Sequence, residues 1–288
     1  MWKEVITSFL YIALELTVLF VLITFLVSII QSFVPFQKKE KWLNQGNLLL
    51  SSLFAVLFAF ITPFCSCSTI PMVVSLLRRK IPFGIVMVFL FASPVLDPTI
   101  LTIMTALLGW KVALIYTLTT STLSIMIGLL LGRLGFEKQL KNVLLKNYQP
   151  KTKRFDLKHS WKETLTLMKT VYPFLLIGAA IGAFIHGAVP TSLITQYLGG
   201  ENWWLVPIAA ILGIPLYIRL STMIPISQMM IAKGMALGPV MALLISSAGA
   251  SLPEVALLNS IFKKKLVVAF VLSVISMSTI SGFLFYLL

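Results

Sequence analysis

Negative charge is nearly missing from this chain. Nine Asp and Glu stand against 23 Lys and Arg in 288 residues, and charged residues of both signs make up only 11%. Soluble domains carry roughly 25% charged residues. Here 58% of residues are hydrophobic and the mean hydropathy is +0.98. Histidine and cysteine are as scarce, at two each. No Walker motif or other nucleotide loop occurs, and no His-Glu-x-x-His or zinc-ligand cluster. ATP-driven pumping by this chain alone is thereby excluded, and no cofactor is called for. Short strands of alternating polarity are absent, which excludes an outer-membrane type of β-barrel.

What is present is long apolar sequence. Residues 6–34, 112–131 and 266–288 are near-continuous apolar runs. Each meets the ~20 residues a helix needs to cross a bilayer. The first run is too long for a signal-peptide core and no small-x-small cleavage site follows it, so it is expected to stay as a membrane helix. The net charge of +14 then reads as the basic bias of cytoplasmic loops, not as a nucleic-acid surface. The chain is all-α and polytopic, with membrane lipid as its surroundings.

The halves resemble each other. Trp2-Lys3-Glu4 recurs as Trp161-Lys162-Glu163, and Val34-Pro35 as Val189-Pro190. Ser68-Thr69-Ile70-Pro71 recurs, with one insertion, as Ser221-Thr222-Met223-Ile224-Pro225. Gly84 aligns with Gly238, Ala92-Ser93 with Ser246-Ser247, Pro98 with Pro253, Lys111 with Lys265 and Gly128 with Gly282, at an offset near 154. The chain divides into a membrane repeat at 1–132, a basic linker at 133–162 and a second membrane repeat at 163–288. The linker holds nine Lys and Arg against two acids, Glu137 and Asp156, which places it in the cytoplasm.

Each repeat is expected to contain one full span, a re-entrant hairpin, a broken span and a last full span. In the first repeat the hairpin enters at 46–62 and returns at 69–77; that return is too short to cross, at ~1.5 Å per residue. Three crossings per repeat make the second repeat inverted. With the termini outside, 18 of the 23 Lys and Arg fall on the cytoplasmic side. Only Lys3, Lys111 and Lys233 fall outside, while Lys169 and Arg219 lie within membrane segments. Inverted repeats with broken helices are a mark of secondary transporters.

Four breaks are expected, at 63–69, 94–98, 215–222 and 246–253. Non-helical backbone at membrane depth must be buried in protein or line a wet cavity, so the breaks should converge near the midplane. Both cysteines, Cys65 and Cys67, sit in the first break between Pro63 and Pro71. Thiolates are soft ligands, and two of them one residue apart can face one thiophilic ion or metalloid; the alternative is that they are small packing residues. Ser66, Ser68 and Thr69 add hydroxyls that serve either a solute or the freed backbone. Asp97 lies in the second break, where an acid marks an ion or proton path or pairs with Arg219. Glu254 is its approximate counterpart. Arg219 faces an anionic solute or neutralises an acid, and Ser93, Ser221, Thr222 and Ser247 border the breaks as candidate solute contacts. Glu15 and His186 read as an interhelical hydrogen bond and an interfacial residue.

The stretch CSCSTIP, followed by SLLRRKIPFG and FASPVLDPT, resembles the bacterial permease family that includes the organoarsenical efflux permeases. The likeness runs over most of both halves and is strongest at 62–99 and 213–254. It implies a plasma-membrane permease and not an enzyme. The arsenical members export trivalent methylated arsenic, for which paired thiols make chemical sense. It also implies a second small membrane-associated protein as partner; a homo-oligomer stays open. Two other classes stay open beside the permease: a scaffold subunit without transport of its own, and a membrane thiol-redox protein.

Overall fold

The computed structural model describes residues 47–61, 66–78, 81–141, 202–215, 220–232 and 234–287, with isolated positions at 14, 17, 18, 21, 165, 172, 173 and 176. All regular elements among them are helical. They are α1 (Leu48–Ile61), α2 (Ser66–Arg78), α3 (Phe83–Ala92), α4 (Pro98–Leu108) and α5 (Trp110–Arg133). A 3-10 turn at Phe136–Gln139 follows, then α6 (Leu205–Gly213), α7 (Leu220–Ala232), α8 (Leu237–Gly249), α9 (Leu252–Ile261) and α10 (Lys264–Tyr286). Both α5 and α10 are long and apolar enough to cross a membrane, and α8 with α9 qualifies as a pair bent by 42°. This is the make-up of a helical membrane protein. The expected first span at 6–34, the linker beyond 141 and most of 163–201 lie outside the described residues.

The sequence offset reappears as structure. Ser66 and Leu220, Phe83 and Leu237, Pro98 and Leu252, and Trp110 and Lys264 open equivalent helices, each pair 154 residues apart. Burial follows the same offset. Along α5, Leu114, Leu118, Met126 and Leu130 are exposed; along α10, Val268, Leu272, Ile280 and Leu284 are. The buried faces of the two helices match as well, from Ala113 and Val267 to Leu131 and Phe285. Apolar side chains pointing outward on one helical face are what a lipid solvent permits.

Helices α3 and α8 are the centre of each half. Every residue of α3 is buried, as is every residue of α8 from Gly238 onward. Their sequences are apolar all round, so no stripe faces outward. The first, α3, packs against α1, α2 and α5; α8 packs in the same way against α6, α7 and α10. Glycine makes the tightest crossings possible. A methyl group on Gly84 would stand 3.3 Å from the Gly128 carbonyl oxygen, and one on Gly238 would stand 2.7 Å from that of Gly282.

The two long helices share an end. Leu140 and Phe262 form an antiparallel bridge, with the Lys141 amide donating to the Ile261 carbonyl (3.0 Å) and the Lys263 amide to that of Gln139 (2.9 Å). The 3-10 turn packs on both α5 and α10. Hence α5 ends where α10 begins, and the basic residues Arg133, Lys138, Lys141, Lys263, Lys264 and Lys265 gather there. At the other end of α10, Trp203 stacks on Trp204 (ring centroids 3.9 Å) and approaches Phe283 (6.5 Å). Exposed Trp at a helix end belongs to a membrane–water interface.

The breaks differ from expectation in detail. The second is a turn at 93–97, close to the expected 94–98. The fourth is narrower than 246–253, because α8 continues through Gly249 and α9 begins at Leu252. Ser246 and Ser247 are helical, with hydroxyls donating to the Leu243 and Leu244 carbonyls (3.1 Å each). Such back-bonding lets serine stay in a buried helix. Of the first break, 63–65 lies outside the described residues, and 66–69 is helical because α2 begins at Ser66. Pro71 is inside α2 and does not bracket the break. Of the third, residues 216–219 lie outside the described residues, and Ser221 and Thr222 already belong to α7.

Candidate functional site

Short helices that start at breaks carry the polar residues. Ser66, Cys67, Ser68 and Thr69 form the first turn of α2, and Ser221 and Thr222 the first turn of α7. The N–H groups of a first turn have no partner inside their own helix, and the helix dipole adds partial positive charge there. Proline deepens the effect. Pro71 has no N–H for the Cys67 carbonyl four residues earlier, and Pro225 has none for that of Ser221. At the structural offset Cys67 therefore corresponds to Ser221, and Cys65 and Arg219, both outside the described residues, correspond in sequence.

Asp97 caps α4: its carboxylate accepts from the Thr99 amide at 2.8 Å. Ser251 holds the matching position before α9. Glu254 is thus one turn further on than a counterpart of Asp97 would be; the helix starts pair it with Ile100. This corrects the expected alignment of Pro98 with Pro253. The cause is local: α4 begins on its proline, whereas α9 begins one residue before its own. Glu254 is fully buried in the first turn of α9; the Ser251 backbone at the start of that helix is its nearest polar neighbour, and neither carboxylate oxygen makes a well-formed hydrogen bond among the described residues.

The halves interlock through these short helices. Helix α2 packs on α9, and α7 packs on α4. The serine- and cysteine-bearing start of one half is thereby joined to the helix that carries Glu254, and the Ser221–Thr222 helix to the helix capped by Asp97. The turns also approach each other: a methyl group on Gly249 would lie 3.8 Å from Cγ2 of Val95. Ser93, at the end of α3, is buried with its hydroxyl unpartnered among the described residues, and Thr69 is buried. No group of three or more His, Cys, Asp or Glu occurs among the described residues; the Cys65–Cys67 pair expected to hold a soft metal falls outside what they cover, apart from the backbone of Cys67.

One residue of the site escapes the sequence reading. Tyr116, buried in α5, donates its hydroxyl to the Val95 carbonyl at 3.0 Å. It satisfies backbone freed by the break, at a cost to the fold if removed. A lone tyrosine inside the apolar run 112–131 was the available signal, since buried Tyr keeps a partner for its hydroxyl. Phe270 occupies the equivalent place in α10, where the shorter break needs no such support. Tyr116→Phe should therefore lower stability by about 1–3 kcal/mol, read as an earlier thermal transition of the purified protein in detergent. An unchanged transition would show that water serves the carbonyl instead.

Comparison with known proteins agrees with this architecture. The UPF0718 protein MJ0584 of Methanocaldococcus jannaschii is 26% identical over 282 residues, covering 76% of this chain and 77% of its own length. The UPF0718 protein YraQ of Escherichia coli K12 is 27% identical over 246 residues, covering 83% and 68%. A putative two-component membrane permease complex subunit of Streptococcus mutans is 22% identical over 278 residues, covering 93% and 90%. No solved structure matches the chain. Residues 1–287 match the predicted permease family as a whole, and with its buried apolar helices and lipid-facing faces the chain belongs to that family of multi-pass membrane permeases.

Proposed function

We propose that the chain is a secondary permease that moves a small thiophilic solute through a midplane site built by the helix breaks of two inverted repeats. The observation that carries this reading is the shared end of α5 and α10. These helices hold the same place in their halves, yet one finishes where the other starts. Equivalent helices of opposite direction are the signature of inversion. The pairing of α2 with α9 and of α7 with α4 supports it, because each contact is the other with the halves exchanged.

In this reading the repeats are 1–132 and 163–288, with α1–α2 and α6–α7 as re-entrant hairpins. Cys65 and Cys67 supply soft ligands, and Ser66, Ser68, Thr69, Ser93, Ser221, Thr222 and Ser247 supply hydroxyls or first-turn backbone around the path. Asp97 and Arg219 border the same path. The resemblance to organoarsenical efflux permeases points to trivalent methylated arsenic as the solute to try first. The name of the streptococcal relative favours a second protein as partner, and the basic linker 133–162 is the segment available to it.

The basic end at Leu140–Phe262 faces the cytoplasm by charge bias, and both termini lie outside. Impermeant thiol labels on single-cysteine variants test this. Position 147 should be labelled only from the cytoplasm, and positions 109 and 202 only from outside. Labelling of both termini from the cytoplasm would remove the inverted arrangement. Everted vesicles containing the chain should accumulate trivalent methylarsenite above vesicles that lack it; equal accumulation for this probe and for soft metal ions would remove the thiophilic substrate class.

A further inference from the structure

We infer that Glu254 is a proton carrier of the transport cycle: it holds a proton in the closed arrangement seen here and releases it when the bend between α8 and α9 opens to water. This deepens the permease reading above and rests on it. Three observations converge on the residue. Glu254 is 0% exposed, and neither oxygen makes a well-formed hydrogen bond among the described residues, the Ser251 backbone of its own helix start being the nearest polar group. It lies in the first turn of α9, just beyond the 42° bend of the α8–α9 pair. Its helix packs on α2, whose first turn carries Cys67.

A fully buried carboxyl that makes no well-formed hydrogen bond is costly to ionise, and a bound proton removes that cost. A proton needs only the carboxyl itself. Among the described residues the helices packed on α9 are α2 and α10, and Lys141 donates to the Asn259 carbonyl near the end of α9. The titratable groups of the two helices are Cys67 and Arg78 on α2 and Lys264, Lys265 and Tyr286 on α10. Lys264 and Lys265 sit beside the Leu140–Phe262 bridge, the end toward which α9 runs from Glu254, about 10 Å along its axis. The O–H bond of the acid breaks toward water on the face to which the bend opens, and it reforms with a proton from water on the other face. Each cycle therefore carries a proton from one face to the other.

Two measurements on the full chain in lipid vesicles decide this. A hydrophobic carbodiimide reacts with protonated carboxyls in apolar surroundings, and peptide mass spectrometry should find it on Glu254 of the unmodified protein at neutral pH, with labelling lost as pH rises. No adduct at Glu254 would overturn the proposal, whatever solute the protein carries. In the second measurement, trivalent methylarsenite is added to vesicles that enclose a pH dye. The parent protein should change the internal pH, Glu254→Gln should not, and Glu254→Asp should restore the change with a shifted pH midpoint. Proton movement that persists in Glu254→Gln, or that requires sodium ions, would overturn it. If the parent moves neither probe nor proton while the adduct forms, it is the substrate assignment that fails and the protonated Glu254 that stands.

Discussion

Replacing both Cys65 and Cys67 by serine should reduce transport of a trivalent methylarsenical to the level of vesicles without the chain, while insertion and expression stay intact. The serine variant is a fair test because the fold already accepts serine at this place: Ser221 is the second residue of α7, as Cys67 is of α2. Serine is also favoured near helix starts, so the change removes sulfur and little else. A thiolate binds a soft centre where a hydroxyl does not, and two ligands lost together leave the solute only first-turn backbone and hydroxyls. Flux measured in everted vesicles reads the effect. Unchanged flux in the double variant, for a solute the parent carries, would show that the cysteines are packing residues.

Gly128→Leu should prevent stable assembly, with a loss of about 3 kcal/mol or more. A Cβ at Gly128 would stand 2.6 Å from the backbone nitrogen of Val88 and 2.9 Å from its Cα. Backbone cannot swing away as a side-chain tip can, so α3 and α5 must separate. Because α3 is buried along its whole length, that separation opens the core of the first half. A contrasting change is Gly109→Ala, where φ is +91° but no atom lies within 4 Å; backbone strain alone costs about 1–3 kcal/mol. Yield and monodispersity after detergent extraction, followed by thermal unfolding, should rank the two variants in that order. Equal behaviour would mean the α3–α5 crossing is slack.

The sequence by itself determined the class and the approximate place of the breaks, and it carries the 154-residue offset that the helix starts follow. Apolar run length is a direct readout of bilayer thickness, and α5 and α10 fall on the expected runs 112–131 and 266–288 to within two residues at each end. Prolines and paired small residues marked the turn at 93–97, because proline interrupts helical hydrogen bonding wherever it falls. The same rule misled at Pro71, which sits inside α2; a proline near a helix start lacks a bond that buried surroundings can replace.

Tertiary structure alone decided which short helices meet. Local periodicity records whether a residue faces inward, not which distant segment it faces. The packing of α2 on α9 and of α7 on α4, the Leu140–Phe262 bridge and the Tyr116 hydroxyl on Val95 join residues 21 to more than 100 positions apart. Glu254 shows the division most plainly. Its identity marked it as an acid in an apolar stretch, but its complete burial depends on what α2 and α10 bring to its sides.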